Sequence, residues 1–268
     1  MLNHFCIGIG KEYIWLHDFL GCCLNLSPIA RILDGKHYFL DARNHGDSFQ
    51  AKGMDYKTQA NDIVTFMNAH GIRKACVIGH GMGGKTAMAL ACLQPERVEK
   101  LCVLDSAPKK YMGVMDQYYG YERHYLRFIK NTDIEGKTRK EIESLCFEKF
   151  DNPRIVHLIT SNLKGNDKSF TWRAGIDNIT DGIEDIEGWD VSEGKYEGKI
   201  VAIVGGASIY TAKNPLLGEN EPVAGLYKNY FPKAEIEILE NVKHFIYTEA
   251  SSQTKAAILK HLSYLGNK

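Results

Sequence analysis

The sequence predicts an α/β fold, a mostly parallel sheet with helices on both faces and an inserted helical cap. Three observations predict it. In the first hundred or so residues, short apolar β-type runs alternate with helical stretches, which implies parallel strands joined by right-handed crossovers. An apolar run, Ala75 to Ile78, passes into a glycine-dense turn and then into a helical stretch, Lys85 to Ala91. From about residue 109 to 190 the alternation stops and helix-like segments take over, before apolar strands resume at Ile200.

Each element has a local reason. Tyr13 to Leu16 is a β-type run ending at His17-Asp18-Phe19-Leu20-Gly21. Leu26 to Leu33 reads as a helix closed by Gly35, and His37 to Asp41 as the next strand, followed by the polar loop Arg43 to Ser48. From Tyr56 to His70, Ala60, Ile63, Val64 and Met67 recur at helical spacing until Gly71 stops the helix. Leu101 to Leu104 is a strand ending at Asp105. The helix-like segments Asp116–Lys130, Arg139–Phe150, Pro153–Leu163 and Ile176–Ile186 form the insertion. Ile200 to Val204 and Ile236 to Leu239 return to the sheet, and Ser252 to Leu265 is the last helix. The expected layout is a core of residues 1–108 and 191–268 with a helical cap of 109–190.

Composition narrows the function class. An apolar content of 44% and a charged content of 25% are those of a globular protein. Lys+Arg and Asp+Glu both number 33, so no net field draws in nucleic acid. No apolar run is long enough to span a bilayer, so the chain is not expected to be transmembrane. The seven cysteines are an odd number and are not spaced as zinc pairs. They read as reduced thiols in an intracellular compartment. The N-terminus lacks a signal-peptide pattern and has no arginine before Arg31. Neither a metal nor a cofactor is expected.

The turn Gly79-His80-Gly81-Met82-Gly83 has the strand-to-helix context of a G-x-S-x-G nucleophile elbow, with glycine where the serine belongs. Glycine meets the strained backbone of such a turn without steric cost, where a serine carries about 1–3 kcal/mol. It has no hydroxyl and forms no acyl-enzyme. Gly79 to Thr86 also fits the phosphate-loop pattern G-x-x-x-x-G-K-[ST], but the surrounding sequence favours the elbow.

Several blocks carry a specific resemblance. They are Lys74 to Lys85, Pro95 to Val98, Leu104 to Pro108, Asp41 to Gly46, Phe170 to Arg173, Gly205 to Tyr210 and Val242 to Phe245. Together these blocks cover nearly the whole chain in the right order, and the chain resembles the α/β-hydrolase domain-containing esterase group, which includes small bacterial esterases and a mitochondrial relative. The resemblance implies the α/β-hydrolase fold, with a sheet of the eight-stranded type. It implies that His244 is the base, Asp105 the acid that orients it, and the amides of Phe19 and Met82 the oxyanion hole. His17, Asp18, His80, Trp172 and Tyr210 fall at the substrate pocket. Tyr111, Tyr118, Tyr119, Tyr121 and Phe128 are further lining candidates, about half of which should be core packing instead.

The departures matter equally. Gly81 removes the nucleophile. Asp18 stands where the family has glycine, and a carboxylate there opposes developing negative charge unless it points to solvent. Gly175 replaces an asparagine of the group. Cys22 or Cys23 could substitute as nucleophile only by reaching His244. A replaced serine and a natural glycine both fit Gly81 alone, whereas the convergence of departures favours a natural loss, as in the N-myc downstream-regulated group. The expected function is that of a pseudo-hydrolase acting as a structural or interaction subunit with a protein partner, in the mitochondrial matrix or cytoplasm. The alternative is a serine esterase or thioesterase on small acyl substrates whose nucleophile was changed at position 81. A small acyl ligand bound without turnover is a further alternative. His244 Nδ1 should lie about 2.7–3.2 Å from Asp105. A water should fill the gap above Gly81 if the loss is recent, and a side chain should plug it if the loss is old.

Overall fold

A computed structural model of the chain describes residues 1–111, 121–210 and 222–263. The first half runs β1 (His4–Ile7), β2 (Glu12–Leu16), α1 (Ser27–Ala30), β3 (Lys36–Leu40), α2 (Tyr56–Ala69), β4 (Ala75–His80), α3 (Gly81–Leu93) and β5 (Val98–Leu104). Then come α4 (Tyr121–Asn131), α5 (Arg139–Phe150), α6 (Pro153–Thr160), β6 (Leu163–Asn166), β7 (Ser169–Trp172), α7 (Ile176–Asp181) and α8 (Ile183–Glu187). β8 (Lys199–Gly205), α9 (Val223–Tyr227), β9 (Ala234–Leu239), α10 (Ile246–Glu249) and α11 (Ser251–Leu262) complete the chain. The expected beginning of the helix at Asp116, the end at Leu265, and Tyr118 and Tyr119 lie outside the described residues, as does the Tyr121 side chain.

The main sheet has the order β1-β3-β2-β4-β5-β8-β9, seven strands among the described residues where eight were expected. Every pairing is parallel except β1 with β3. β4 lies at the centre and is buried along its whole length. Alternate residues serve two cores, as the period of two in a strand requires. Ile14, Val77, Leu101, Val103, Ile200 and Ala202 pack on the side of α2 and α3. Tyr13, Trp15, Cys76, Ile78, Cys102 and Val201 pack on the side of α1 and α11. Both faces of the sheet are covered, so its central strands read as unbroken apolar runs.

α3 begins directly at the end of β4, so its first turn is Gly81 to Gly84 rather than Lys85. The small residues of this turn let it approach the sheet. A Cβ at Gly83 would stand 2.4 Å from the Leu16 carbonyl oxygen and 2.5 Å from that of His17. The seat of the helix on β2 therefore requires glycine at that position.

Between β5 and β8 lie α4 to α8 and a hairpin that the sequence reading missed. The antiparallel strands β6 and β7 turn through Asp167 and Lys168, both at positive φ, 42° and 70°. Asn166-Asp167-Lys168-Ser169 makes this primed turn without the glycine that advertises one. β1 was missed because it is a half-buried edge strand whose side chains show no clean alternation. The segment is tied to the sheet by Lys85, whose Nζ donates to the carbonyls of Gly188 at 2.7 Å and Glu187 at 3.1 Å. Burial pushes the Lys85 ammonium well below its ordinary pKa. Tyr56 adds a hydroxyl bond to the Ile186 carbonyl at 2.6 Å, and Arg123 grips Glu187 through Nε and Nη2 at 2.7 and 2.6 Å. Lys85 is thus committed to carbonyls of the α8 end, which leaves the phosphate-loop reading without its lysine.

Candidate functional site

Three loops at the C-terminal edge of the parallel strands meet above Gly81. The loop after β2 supplies Asp18, the end of β5 supplies Asp105, and the loop between β9 and α10 supplies His244. This is the edge at which open α/β sheets place their ligands.

Asp105 is fully buried and held at φ 43°. Asp is among the few side chains that tolerate this region. Its Oδ1 accepts the Gly205 amide at 2.7 Å, and its Oδ2 accepts both the Ser208 hydroxyl and His244 Nδ1, the latter at 2.7 Å. A buried carboxylate needs such partners. The loop after β8, where the sequence offered no acid, thus serves to hold the one that β5 presents. Ser208 went unrecognised in this role because a lone serine in a Gly-Gly-Ala-Ser loop gives no chemical signal.

The other nitrogen of His244 meets Asp18. Nε2 lies 2.8 Å from Asp18 Oδ2, and Asp18 Oδ1 accepts the Met82 amide at 2.7 Å. The gap above Gly81 is therefore filled by a side-chain carboxylate, one of the two expected occupants, and Asp18 points inward rather than to solvent. An anion at the first amides of a helix is favoured by the unpaired N–H groups and the dipole. Gly81 sits at φ 51°, and a Cβ there would stand 1.9 Å from Asp18 Oδ1. Asp18 and a side chain at position 81 exclude one another. Of the two expected oxyanion donors, the Met82 amide is spent on Asp18. Phe19 is buried beside it and lines the same hollow.

Electrostatics follow from this chain of contacts. Burial opposes ionisation of both Asp18 and His244, but mutual attraction prevails. Asp18 is held well below the usual carboxylate range by the His244 charge and hydrogen bond, with the Met82 amide helping. Against burial, the charges and hydrogen bonds of Asp18 and Asp105 raise His244 to about 10. The Tyr210 ring lies 4.3 Å from the His244 ring, a position favourable to a cation. Tyr210 in turn bonds Glu122 at 2.5 Å, and burial raises the Glu122 carboxyl.

The remaining expected residues divide. His80 is buried, its ring 4.5 Å from that of His244, and its Nε2–H donates to the His244 carbonyl at 2.9 Å. Burial first, then the His244 charge, lower it to about 4, so it is neutral. His17 donates through Nδ1 to the Asp18 carbonyl at 2.7 Å and accepts the Ala42 amide on Nε2 at 3.0 Å. It braces the loop instead of facing the hollow. Trp172 corrects the sequence reading, because the β6–β7 hairpin carries it to a separate hollow with Gln50 and Gly175. Gly175 bonds the Asn44 carbonyl there at 2.8 Å, so this departure does not share a pocket with Asp18 and Gly81. Tyr111 stands beneath Lys85, 4.0 Å from Nζ, and Phe128 packs edge-on against Phe150. Burial raises the thiols of Cys22 and Cys23, and neither lines the hollows at His244. This removes the support for a substitute cysteine.

Directly above Gly81 the hollow among Asp18, Lys85, Glu122, Tyr210 and His244 is only about 20 Å³. A neighbouring cavity of about 360 Å³ opens beside Asp18 and His244, walled among the described residues by Tyr125, Phe150, Ile155 and Phe245 with Arg154 at its polar end.

Known proteins agree with this architecture. An abhydrolase domain-containing protein of Schizosaccharomyces pombe is 30% identical over 254 residues, 92% of this chain and 90% of its own. The sn-1-specific diacylglycerol lipase ABHD11 of Danio rerio is 27% identical over 260 residues, 95% of this chain and 79% of its own. A solved marine microorganism esterase superposes with a TM-score of 0.87 at 28% identity, over 97% of this chain and 99% of its own. Residues 36–250 match the α/β-hydrolase fold family over most of the chain's length, and the chain belongs to that family.

Proposed function

We propose that this α/β-hydrolase chain performs no serine-based acyl transfer and acts as a pseudo-hydrolase, a binding or interaction subunit. One observation carries the reading, namely the Asp18 carboxylate on the Met82 amide above Gly81. Acyl transfer needs a nucleophile beside the base and donors aimed at a developing oxyanion. Here glycine stands at the nucleophile position. A fixed negative charge occupies a donor that an oxyanion would use, and it also engages the base. The retained His244–Asp105 contact and the esterase and lipase names of the relatives support descent from an ester hydrolase. Cysteines that form no disulfide among the described residues and the resemblance to a mitochondrial relative support a mitochondrial matrix or cytoplasmic setting.

Hydrolysis of p-nitrophenyl acetate and butyrate in EDTA tests the proposal. Wild type is expected to match the buffer background, and His244→Ala to change nothing. Turnover by wild type that His244→Ala abolishes would overturn it. Native mass spectrometry of the protein isolated from its own cells should show a bound partner chain, and a lone monomer would count against the interaction role.

A further inference from the structure

His80 carries a buried nitrogen that none of the described residues binds. Its side chain is 1% exposed, and its Nε2–H is used on the His244 carbonyl. Its Nδ1 has no hydrogen-bond partner among the described residues, although buried polar atoms normally have one. Asp18 Oδ2 is 3.9 Å from that nitrogen, beyond hydrogen-bond range, and the same oxygen is 2.8 Å from His244 Nε2. Ligand atoms of all three residues lie within 4.8 Å of one another.

We infer that His80 Nδ1, His244 Nε2 and an Asp18 carboxylate oxygen form a binding site for a divalent transition-metal ion of the Zn²⁺ type, seated above Gly81. A tetrahedral ion with bonds of about 2.0–2.2 Å keeps its ligands roughly 3.4 Å apart. The two Asp18 separations, 2.8 and 3.9 Å, bracket that value and the His80–His244 separation lies within 4.8 Å, so side-chain rotations that draw the two imidazoles around the ion complete the geometry. Two imidazoles and a carboxylate suit zinc and its neighbours, whereas magnesium and calcium prefer all-oxygen shells.

The outer contacts are those of a metal site. Histidine ligands usually donate their second N–H to a carboxylate or carbonyl, and ligand carboxylates are themselves hydrogen-bonded. His244 donates Nδ1–H to Asp105, His80 donates Nε2–H to the His244 carbonyl, and Asp18 Oδ1 accepts the Met82 amide. Each proposed ligand is thus oriented by a partner that leaves its metal-binding atom available. On binding, the ion replaces the proton between His244 and Asp18, and that proton leaves to solvent. Two carboxylates around an imidazolium carry a net charge of −1. With a divalent ion and neutral imidazoles the net charge becomes 0. Three protein ligands leave a fourth position open, and the cavity bordered by Asp18 and His244 gives it a path to solvent.

The inference goes beyond the proposed function and is tested separately from it. Full-length protein stripped with EDTA and then dialysed is titrated with Zn²⁺ by calorimetry, and with Co²⁺ by visible absorption. Wild type is expected to take one equivalent of each and to give the intense Co²⁺ bands of a four-coordinate site. Asp18→Asn and His80→Gln should weaken binding more than 100-fold, and Asp105→Asn about 10–100-fold through orientation of His244. His261→Gln, in the separate cluster with Glu235 and Glu237, should leave affinity unchanged. Zn²⁺ binding that survives both Asp18→Asn and His80→Gln would overturn the site. So would folded wild type that binds no stoichiometric Co²⁺ or shows only weak six-coordinate bands, a readout that needs no variant to fold.

Discussion

Asp18 Oδ2 lies 2.8 Å from His244 Nε2, over a glycine whose Cβ, if present, would collide with the same carboxylate. The pair makes His244 the centre of an Asp105–His244–Asp18 chain drawn from three loops. An imidazole bonded at both nitrogens to carboxylates is a stabilised cation, which is the opposite of what a general base must be.

Restoring the hydroxyl alone should fail. In Gly81→Ser the new Cβ meets Asp18 Oδ1, so either the turn or the Asp18 loop must shift. Gly81→Ser and Asp18→Gly are each expected to show background rates with p-nitrophenyl butyrate. The double variant should exceed either by at least 100-fold, the scale lost when one oxyanion donor is removed from an acyl-transfer site. Additive behaviour of the two changes would separate the sites that the structure joins.

The ion pair should contribute to stability within a defined pH window. His244 is raised from 6.5 to about 10, so its contribution is full below 6.5 and disappears as pH rises through about 10. Asp18 is depressed, so its contribution is full above 3.8 and is lost as pH falls toward its lowered value. Asp18→Asn should therefore cost most between these limits, on the order of 1–3 kcal/mol at pH 6. Urea unfolding in EDTA should show the difference narrowing by pH 10.

Lys85 offers a test of how the β5–β8 segment is held. Lys85→Met keeps the volume and removes the donors to Gly188 and Glu187. Glu187 keeps the Tyr111 amide on its carbonyl at 2.7 Å, so the loss falls on the half-buried Gly188 carbonyl and should cost about 1–3 kcal/mol. Hydrogen exchange should rise first in α8, whose end those carbonyls form.

Much of the molecule was legible in sequence because its signals are local. β4 announces itself as an apolar run, Gly81 and Gly83 mark a turn pressed against the sheet, and the blocks around Asp105 and His244 are among those that carry the resemblance to the esterase group. The contact between Asp105 and His244 followed from those blocks, and the 2.7 Å distance fits the expected range. What escaped depends on side-chain direction or on contacts distant in sequence. Asp18 could be recognised as a departure, yet its rotamer, which decides between solvent and the helix amide, has no sequence signal. Trp172 was misplaced because the primed turn of its hairpin lacks glycine. Ser208 was not singled out, and its hydroxyl should matter. Ser208→Ala leaves the buried Asp105 with one donor fewer and is expected to lower stability by about 1–3 kcal/mol in chemical denaturation.

The most direct test of the account is the protonation of His244 itself, followed by ¹⁵N-edited NMR of the imidazole in EDTA. The groups facing it are Asp18, Asp105, His80 and Tyr210, with Glu122 behind Tyr210. With Asp18 engaged at Nε2, wild type should keep both ring protons through pH 8 and titrate only near 10, whereas Asp18→Asn should bring the transition well down. A wild-type His244 that titrates near 6.5, unchanged by Asp18→Asn, would contradict the claim that Asp18 has taken the nucleophile's place.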